Sequence, residues 1–291
     1  MRVFVSGGTG FLGTSVTEAL LADGHEVTLL CHTRLPAPRP GLNVVEGDVR
    51  VAGAWTEALR GHDSVVHLVA IIREWVSKGV TFEALHVGAT HHMLDAAARA
   101  GVERFVHVSA LGVGRCQGAR YMQTKERAEQ EVLARGRAST ILRPSFIFAE
   151  ESPFFQMLSA LGRAPVTPVV GRGDVPFQPV SRQDVTTAIV RCLKRPQSAG
   201  RIYEMGGADI VTYRRLLDLM AGRRVHALTL PTALVRGAAA LLEALPAFPL
   251  TVDQIAMLGC PSVARDRLWQ EELGIDAQSF VAWAEGRRRP A

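Results

Sequence analysis

Short apolar runs alternate along the chain with longer stretches in which apolar residues recur every three or four positions. "RVFVSG" is a run of the first kind and ends on glycine. "GTSVTEALLADG" is of the second kind, with Val16, Ala19 and Leu20 on one face and Gly24 as its stop. "HEVTLLC" and "LNVVEGD" read as the second and third strands, "AWTEALRG" as a helix and "DSVVHLVA" as the fourth strand. "FEALHVGATHHMLDAAARAG" reads as a long helix stopped by Gly101, and "VERFVHVSA" as the fifth strand. "YMQTKERAEQEVLARG" is helical and "ASTILRPS" is the sixth strand. Strand and helix alternating this regularly predict right-handed crossovers and a parallel sheet covered on both faces. The expected class is α/β, a doubly wound sheet of the Rossmann kind.

The texture changes after Pro144. "EESPFFQMLSALGRAPVTPVVGRGDVPFQPVS" is rich in proline and glycine around one short helix. "SRQDVTTAIVRCLKRP" reads as a capped helix, with Ser181 and the acidic Asp184 as its start signal. "RIYEMGG" reads as a further strand. Residues 1–150 are therefore expected to form the larger domain, completed by about 177–206. Residues 151–176 and 207–291 are expected to form a smaller lobe, discontinuous in sequence.

The composition, 47% hydrophobic and 21% charged, suits a globular chain long enough to bury a core. The net charge of +5 owes much to the terminal "GRRRPA", a run expected to be solvated. No basic stripe interleaves with aromatic residues, so no nucleic-acid partner is expected. Cys31, Cys116, Cys192 and Cys260 lie far apart without metal-ligand spacing. No metal site is expected, and scattered thiols suit a reducing cytoplasm better than a disulfide framework. The N-terminus does not read as a signal peptide, and no stretch approaches the roughly 18 apolar residues that span a bilayer. "LVRGAAALLEALPAF", Leu234 to Phe248, reads as a packed helix, with peripheral membrane contact as its other use. Both a monomer and a homodimer stay open.

The glycines of "GGTGFLG" lie where the first strand turns into the first helix. Gly8, Gly10 and Gly13 fit the dinucleotide fingerprint, and so do Gly7, Gly10 and Gly13. One glycine permits positive φ, a second lets backbone approach a pyrophosphate, and a third lets helix pack on strand. The helix N-terminus then offers free N–H groups to the phosphates. An acidic residue at the end of the second strand would grip the ribose 2′-OH of NAD. "LLCHTR" has none there and offers His32 and Arg34 instead. A 2′-phosphate would meet positive charge, so NADP(H) is favoured and NAD(H) is the alternative. Asp48, beside Val49 in "EGDV", is placed to accept from the adenine amine.

Tyr121 and Lys125 stand one helical turn apart on one face. A phenol titrates near 10, and a lysine ammonium nearby is expected to favour the phenolate. Ser109, ending the fifth strand, could donate to a substrate carbonyl oxygen. The adjacent His91 and His92 point in different directions on a helix and make a poor chelate.

"GGTGFLG", "EGDV", "VVHLVA", "RFVHVSALG", "YMQTK" and "ILRPSFIF" together resemble the short-chain dehydrogenase/reductase superfamily, extended or atypical branch, to about residue 220. "FEALHVGATHHMLDAAARAGVERFVHVSALG", "TILRPSFIFAEESPFF" and "YEMGGADIVTYRRLL" are similar to bacterial relatives of the nucleotide-binding accessory subunit of respiratory complex I. That resemblance implies NADPH in a Rossmann lobe and a small C-terminal lobe. It also implies uncertain turnover, because the complex I member is regarded as holding its cofactor for structural reasons. Gly7, Gly10 and Gly13 match the phosphate loop. Thr9, Phe11 and Leu12 share that loop, the amides of the last two facing the pyrophosphate. Leu68, Val69 and Ala70 match the segment under the adenosine and ribose, Pro144 and Ser145 the segment against the nicotinamide. Ser109, Tyr121 and Lys125 match the catalytic trio, with Lys125 also on the nicotinamide ribose. The chain departs from the pattern at His86, where extended members carry asparagine, and at Ala149, where many carry glycine.

The favoured expectation is an oxidoreductase moving hydride between NADP(H) and a carbonyl or alcohol, on a partly hydrophobic or quinone-like small molecule. The alternatives are a non-catalytic NADPH-binding accessory protein and a sugar-nucleotide epimerase or dehydratase. The expected location is cytoplasmic, with a membrane-peripheral position as the variant.

Overall fold

The computed structural model describes residues 1–135, 138–243 and 250–287. Seven strands form one sheet: β1 (Arg2–Ser6), β2 (Glu26–Cys31), β3 (Leu42–Glu46), β4 (Ser64–His67), β5 (Arg104–Val108), β6 (Ala138–Pro144) and β7 (Ile202–Met205). Their order is β7-β6-β5-β4-β1-β2-β3, every neighbouring pair parallel. The order reverses between β1 and β4, and a doubly wound sheet opens its ligand crevice at such a reversal.

Side-chain alternation divides the core between the two faces. Val3, Val5, Val66, Val106 and Val108 pack on one face with Val16 and Leu20 of α1 (Phe11–Ala22). Phe4, Val65, Phe105 and Ile141 pack on the other with Met93 and Ala97 of α2 (Ala89–Ala100) and Val132 of α3 (Arg120–Arg135). The apolar stripe of a helix thus meets an apolar stretch of a sheet face, which is why these periodic segments fold as they read.

Two segments depart from the sequence reading. "AWTEALRG" forms a single 3₁₀ stretch, Ala54–Leu59. The long helix opens as a π-helical turn, Glu83–Gly88, before continuing as α2 to Gly101. Such turns are uncommon and cluster at functional sites.

The polypeptide beyond β6 builds α4 (Pro153–Gly162), α5 (Arg182–Lys194), α6 (Tyr213–Ala221), α7 (Thr232–Leu242) and α8 (Val252–Leu258). Phe155, Leu158, Phe177, Leu216, Leu217 and Phe280 centre a second core. Ser181 caps α5 through the N–H of Gln183. Asp184 is no partner in that cap, because its carboxylate takes the N–H and side-chain amide of Gln278. Trp269, Leu273 and Ile275 return to the core of the main sheet beside α5.

The cysteines correct the expectation of free thiols. Cys116 and Cys260 are joined as a disulfide, with Cα atoms 5.9 Å apart, while Cys31 and Cys192 are free and buried. Spacing could not show this pair, because 144 residues separate it in sequence and only the packing of the second lobe brings it together. Among the described residues no helix is long and apolar enough to cross a membrane. On α7, Leu234, Leu241 and Leu242 are exposed and only Ala239 is buried, so the helix is not the packed one expected. Residues 244–248 of that segment, and 288–291 of the arginine tail, lie outside the described residues.

Candidate functional site

The glycine turn is built by close approach. Gly7 has φ +76°, a left-handed conformation that side chains avoid. A Cβ on Gly7 would stand 3.0 Å from the backbone of Leu68 and Val69, and one on Gly13 would stand 2.1 Å from the Gly7 carbonyl oxygen. The turn, the end of β4 and the first turn of α1 are thus pressed together without side chains. Gly10 occupies the cap position of α1 with no side-chain cap and no acidic residue in the first turn. The first helical bond runs from the Thr14 N–H to the Gly10 carbonyl. The N–H groups of Phe11, Leu12 and Gly13 therefore face out of the helix end, a cradle shaped for an anion. The pyrophosphate of a dinucleotide fits it. Thr9 lies in the turn, and Ala70 is exposed just past β4. The sequence reading missed Arg182, whose guanidinium lies 5.1 Å from the centre of the Phe11 ring and pairs with Glu151 at 3.1 Å.

The end of β2 carries no carboxylate, and both His32 and Arg34 are exposed beside it. Asp48 is bound side-on by Arg50, at 2.9 and 2.6 Å to one oxygen, with His32 at 3.5 Å. Arg50 first, opposed by burial, holds the Asp48 carboxyl below its usual range. Arg50 was not foreseen, although its place two residues after Asp48 is a familiar side-chain clasp. Val49 is buried, and its carbonyl bonds Nδ1 of His92. His91 instead pairs with Glu131 and Asp95.

Ser109 follows β5 directly, Lys125 reaches the same strand end, and Tyr121 packs in the cluster that Ala110 joins. The Lys125 ammonium donates to the carbonyl of Val108 at 2.7 Å, directly before Ser109. Tyr121 and Lys125 share the buried face of α3. The Ser109 hydroxyl is buried and unpartnered among the described residues, so the site contains a donor waiting for an acceptor. The expected lowering of the phenol does not occur. Burial, with the Asp253 carboxylate adding to it, pushes Tyr121 up to about 12. Burial also brings Lys125 down to about 8, opposed by Glu129. Desolvation is the first cause of both shifts, and the phenol is held in its protonated form. Pro144 ends β6, and Ser145 turns its hydroxyl to Ser262 at 2.9 Å.

The N-terminus of α3 is capped from the second lobe. Asp253 of α8 accepts from the N–H groups of Arg120 at 2.6 Å and Tyr121 at 2.9 Å. His86, the departure from asparagine, is buried in the π-helical turn. Its ring stands edge-on to Tyr121 with centroids 5.1 Å apart. Burial first, then the Lys125 charge, lowers His86 to about 2. A cavity of about 560 Å³ opens next to this group, lined by Trp75, Val76, Phe82, Arg120, Glu243 and Asp253. Ile72, Trp75 and Val76 are exposed there.

The fold and the glycine turn define a dinucleotide-binding α/β protein, and the comparisons narrow the class. A family described as NAD(P)H-binding matches residues 7–196, and the chain belongs to that family, within the extended short-chain dehydrogenase/reductase group. NADH dehydrogenase (ubiquinone) 1 alpha subcomplex subunit 9 of Mus musculus mitochondria is 30% identical over 214 residues, 70% of this chain and 56% of that protein. A 3 beta-hydroxysteroid dehydrogenase/Delta 5→4-isomerase of Mycobacterium tuberculosis is 33% identical over 201 residues, 59% of this chain and 54% of that protein. The chain therefore spans a little over half the length of these curated relatives. An NADPH-dependent quinone oxidoreductase of Escherichia coli, solved with NADPH, superposes with a TM-score of 0.77 at 17% identity, covering 99% of this chain and 100% of that one. A nucleoside-diphosphate-sugar epimerase of Staphylococcus aureus superposes equally, at 0.77 and 16% identity over 98% and 100%. Likeness at that identity shows the shared fold.

Proposed function

We propose that the protein is an NADP(H)-dependent oxidoreductase that reduces a carbonyl, or oxidises the matching alcohol, on a partly hydrophobic small molecule. The carrying observation is the group at the end of β5: a buried, unpartnered Ser109 hydroxyl, a phenol at Tyr121 kept protonated, and a buried ammonium at Lys125. NADPH, when bound, would supply the hydride that the carbonyl carbon takes up. Ser109 donates a hydrogen bond to the carbonyl oxygen and orients it. Tyr121 gives its proton to that oxygen as negative charge grows there, and the lysine charge stabilises the phenolate left behind. Gly7, Thr9, Gly10, Phe11, Leu12 and Gly13 would hold the pyrophosphate. Leu68, Val69 and Ala70 would lie along the adenosine and ribose, Lys125 would hold the nicotinamide ribose, and Pro144 and Ser145 would back the nicotinamide. His32 and Arg34, with no carboxylate at the C-terminal end of β2, support NADP(H) over NAD(H).

The apolar walls of the neighbouring cavity, Trp75, Val76 and Phe82, support a substrate with a hydrophobic portion. Its charged lining is mixed, with Glu74, Glu243 and Asp253 beside Arg73 and Arg120. A second reading, a protein that keeps NADPH without turning it over, draws support from the deep burial of Tyr121 and from the complex I relative.

The test is purification followed by fluorescence of bound reduced nicotinamide, then titration with NADPH and NADH. A panel of ketones, aldehydes and quinones is next offered to the complex. Oxidation of the cofactor with NADPH preferred supports the proposal, and tight NADPH that no acceptor oxidises supports the second reading.

A further inference from the structure

A continuous file of buried hydrogen bonds runs from the glycine turn to the helix of Tyr121. Ser6 of β1, His67 of β4 and His107 of β5 lie in register across adjacent strands, directly before the turn. Ser6 Oγ lies 2.6 Å from His67 Nδ1, and His67 Nε2 lies 3.1 Å from Thr90 Oγ1. Thr90 Oγ1 donates to the carbonyl of His86 at 2.6 Å. His86 Nδ1 lies 2.9 Å from Thr124 Oγ1, which donates to the carbonyl of Tyr121 or Arg120 at 3.0 Å.

A hydroxyl has one proton to give. Thr124 spends its proton on the helix backbone, so it accepts from His86, and His86 carries its proton on Nδ1. His86 Nε2 lies 3.2 Å from both the N–H and the carbonyl oxygen of Ile71, and with the proton on Nδ1 it accepts from the N–H. Thr90 likewise gives its proton to the His86 carbonyl, so it accepts from His67, which carries its proton on Nε2. His67 Nδ1 accepts from Ser6. Each imidazole is neutral and in one tautomer. Burial and the Lys125 charge both favour this, holding His67 down to about 3. His107 stacks on His67 with centroids 5.5 Å apart and has both nitrogens buried without a partner.

We propose that His67 and His86 are positioning residues, a pair of tautomer-locked imidazoles that fix the Tyr121 turn of α3 against the phosphate loop. Ser6 immediately precedes Gly7, and Thr124 lies between Tyr121 and Lys125. The file thus joins the cofactor's cradle to the reacting groups through side chains that touch neither cofactor nor substrate. His86 also holds Ile71, at the root of the segment that bounds the cavity. Placing Tyr121 in this way rests on reading it as the proton donor.

Nitrogen-15 spectra of the histidine rings in the full chain test the assignment without any need for turnover. Protonation of His86 on Nδ1 and of His67 on Nε2, unchanged to pH 5, is expected. The opposite tautomer at either ring, or titration near 6.5, overturns the proposal. The second test uses Thr124→Val and Thr124→Ser with NADPH and phenanthrenequinone as probes. Thr124→Val should lower kcat about ten- to a hundredfold with NADPH affinity held within about threefold, and Thr124→Ser should restore kcat to within about threefold. A folded Thr124→Val with unchanged kcat overturns the positioning role. If the wild-type protein oxidises NADPH with no acceptor, the oxidoreductase reading fails, and the ring spectra decide whether the locked pair exists.

Discussion

At the scale of single residues, the proposed chemistry rests on two buried side chains of α3, Tyr121 and Lys125. Lys125 sits below its ordinary value because burial disfavours its charge, so the ammonium is present below about pH 8 and is lost as pH rises through it. Carbonyl reduction should therefore be level below pH 8 and decline above it, as measured in a pH profile of kcat under saturating NADPH. Tyr121, at about 12, contributes no limb of its own in that range. Stability should move the other way. Between about 8 and the ordinary 10.5 the unfolded chain binds more protons at this lysine than the folded one, so unfolding free energy rises with pH. Lys125→Met should abolish that rise in denaturant titrations. The sequence could name both residues from their spacing, but not the sign of the phenol's shift. That sign depends on how much water the second lobe removes and on Asp253, which comes from 132 residues away.

At the scale of elements, the reacting helix and its loop are held from the second lobe. Asp253, on α8, caps α3 from far along the chain, where a residue next to the helix usually serves. Asp253→Ala should cost about 1–2 kcal/mol, seen as a lower denaturation midpoint, and should loosen the Tyr121 turn. The Cys116–Cys260 disulfide ties the loop between β5 and α3 to the segment after α8. Cys116→Ser should lower the unfolding free energy by about 2–4 kcal/mol, and reduction of the wild type should match the variant. Equal stability of reduced and oxidised protein would contradict the tie. Elements with long, clean periodicity, such as α1, α3 and the inner strands, were legible because a sheet face and a helix stripe satisfy the same pattern locally. The π-helical turn at His86, the cap from Asp253 and the disulfide were not, because each is decided by contacts between distant segments.

At the scale of the molecule, a parallel sheet places the glycine turn, the end of β4 and the end of β5 along one edge, at the reversal of strand order. Family membership and the fold give NAD(P)H binding, and the same fold hosts dehydrogenases and epimerases, so the site must decide between them. The open helix end at Gly10 and the lack of a carboxylate at the C-terminal end of β2 were readable from the first fifty residues. The cavity beside Tyr121 was not, since it assembles from residues 73–77, 82, 120, 243 and 251–253. The account turns on Tyr121 as the proton donor. Its most direct test is the single-turnover decay of NADPH absorbance on mixing the loaded protein with the best acceptor of the panel, for wild type and Tyr121→Phe. A loss of about a hundredfold or more in rate, with NADPH affinity unchanged, is predicted. An equal rate in the variant, or no decay in the wild type with any acceptor, would contradict the account.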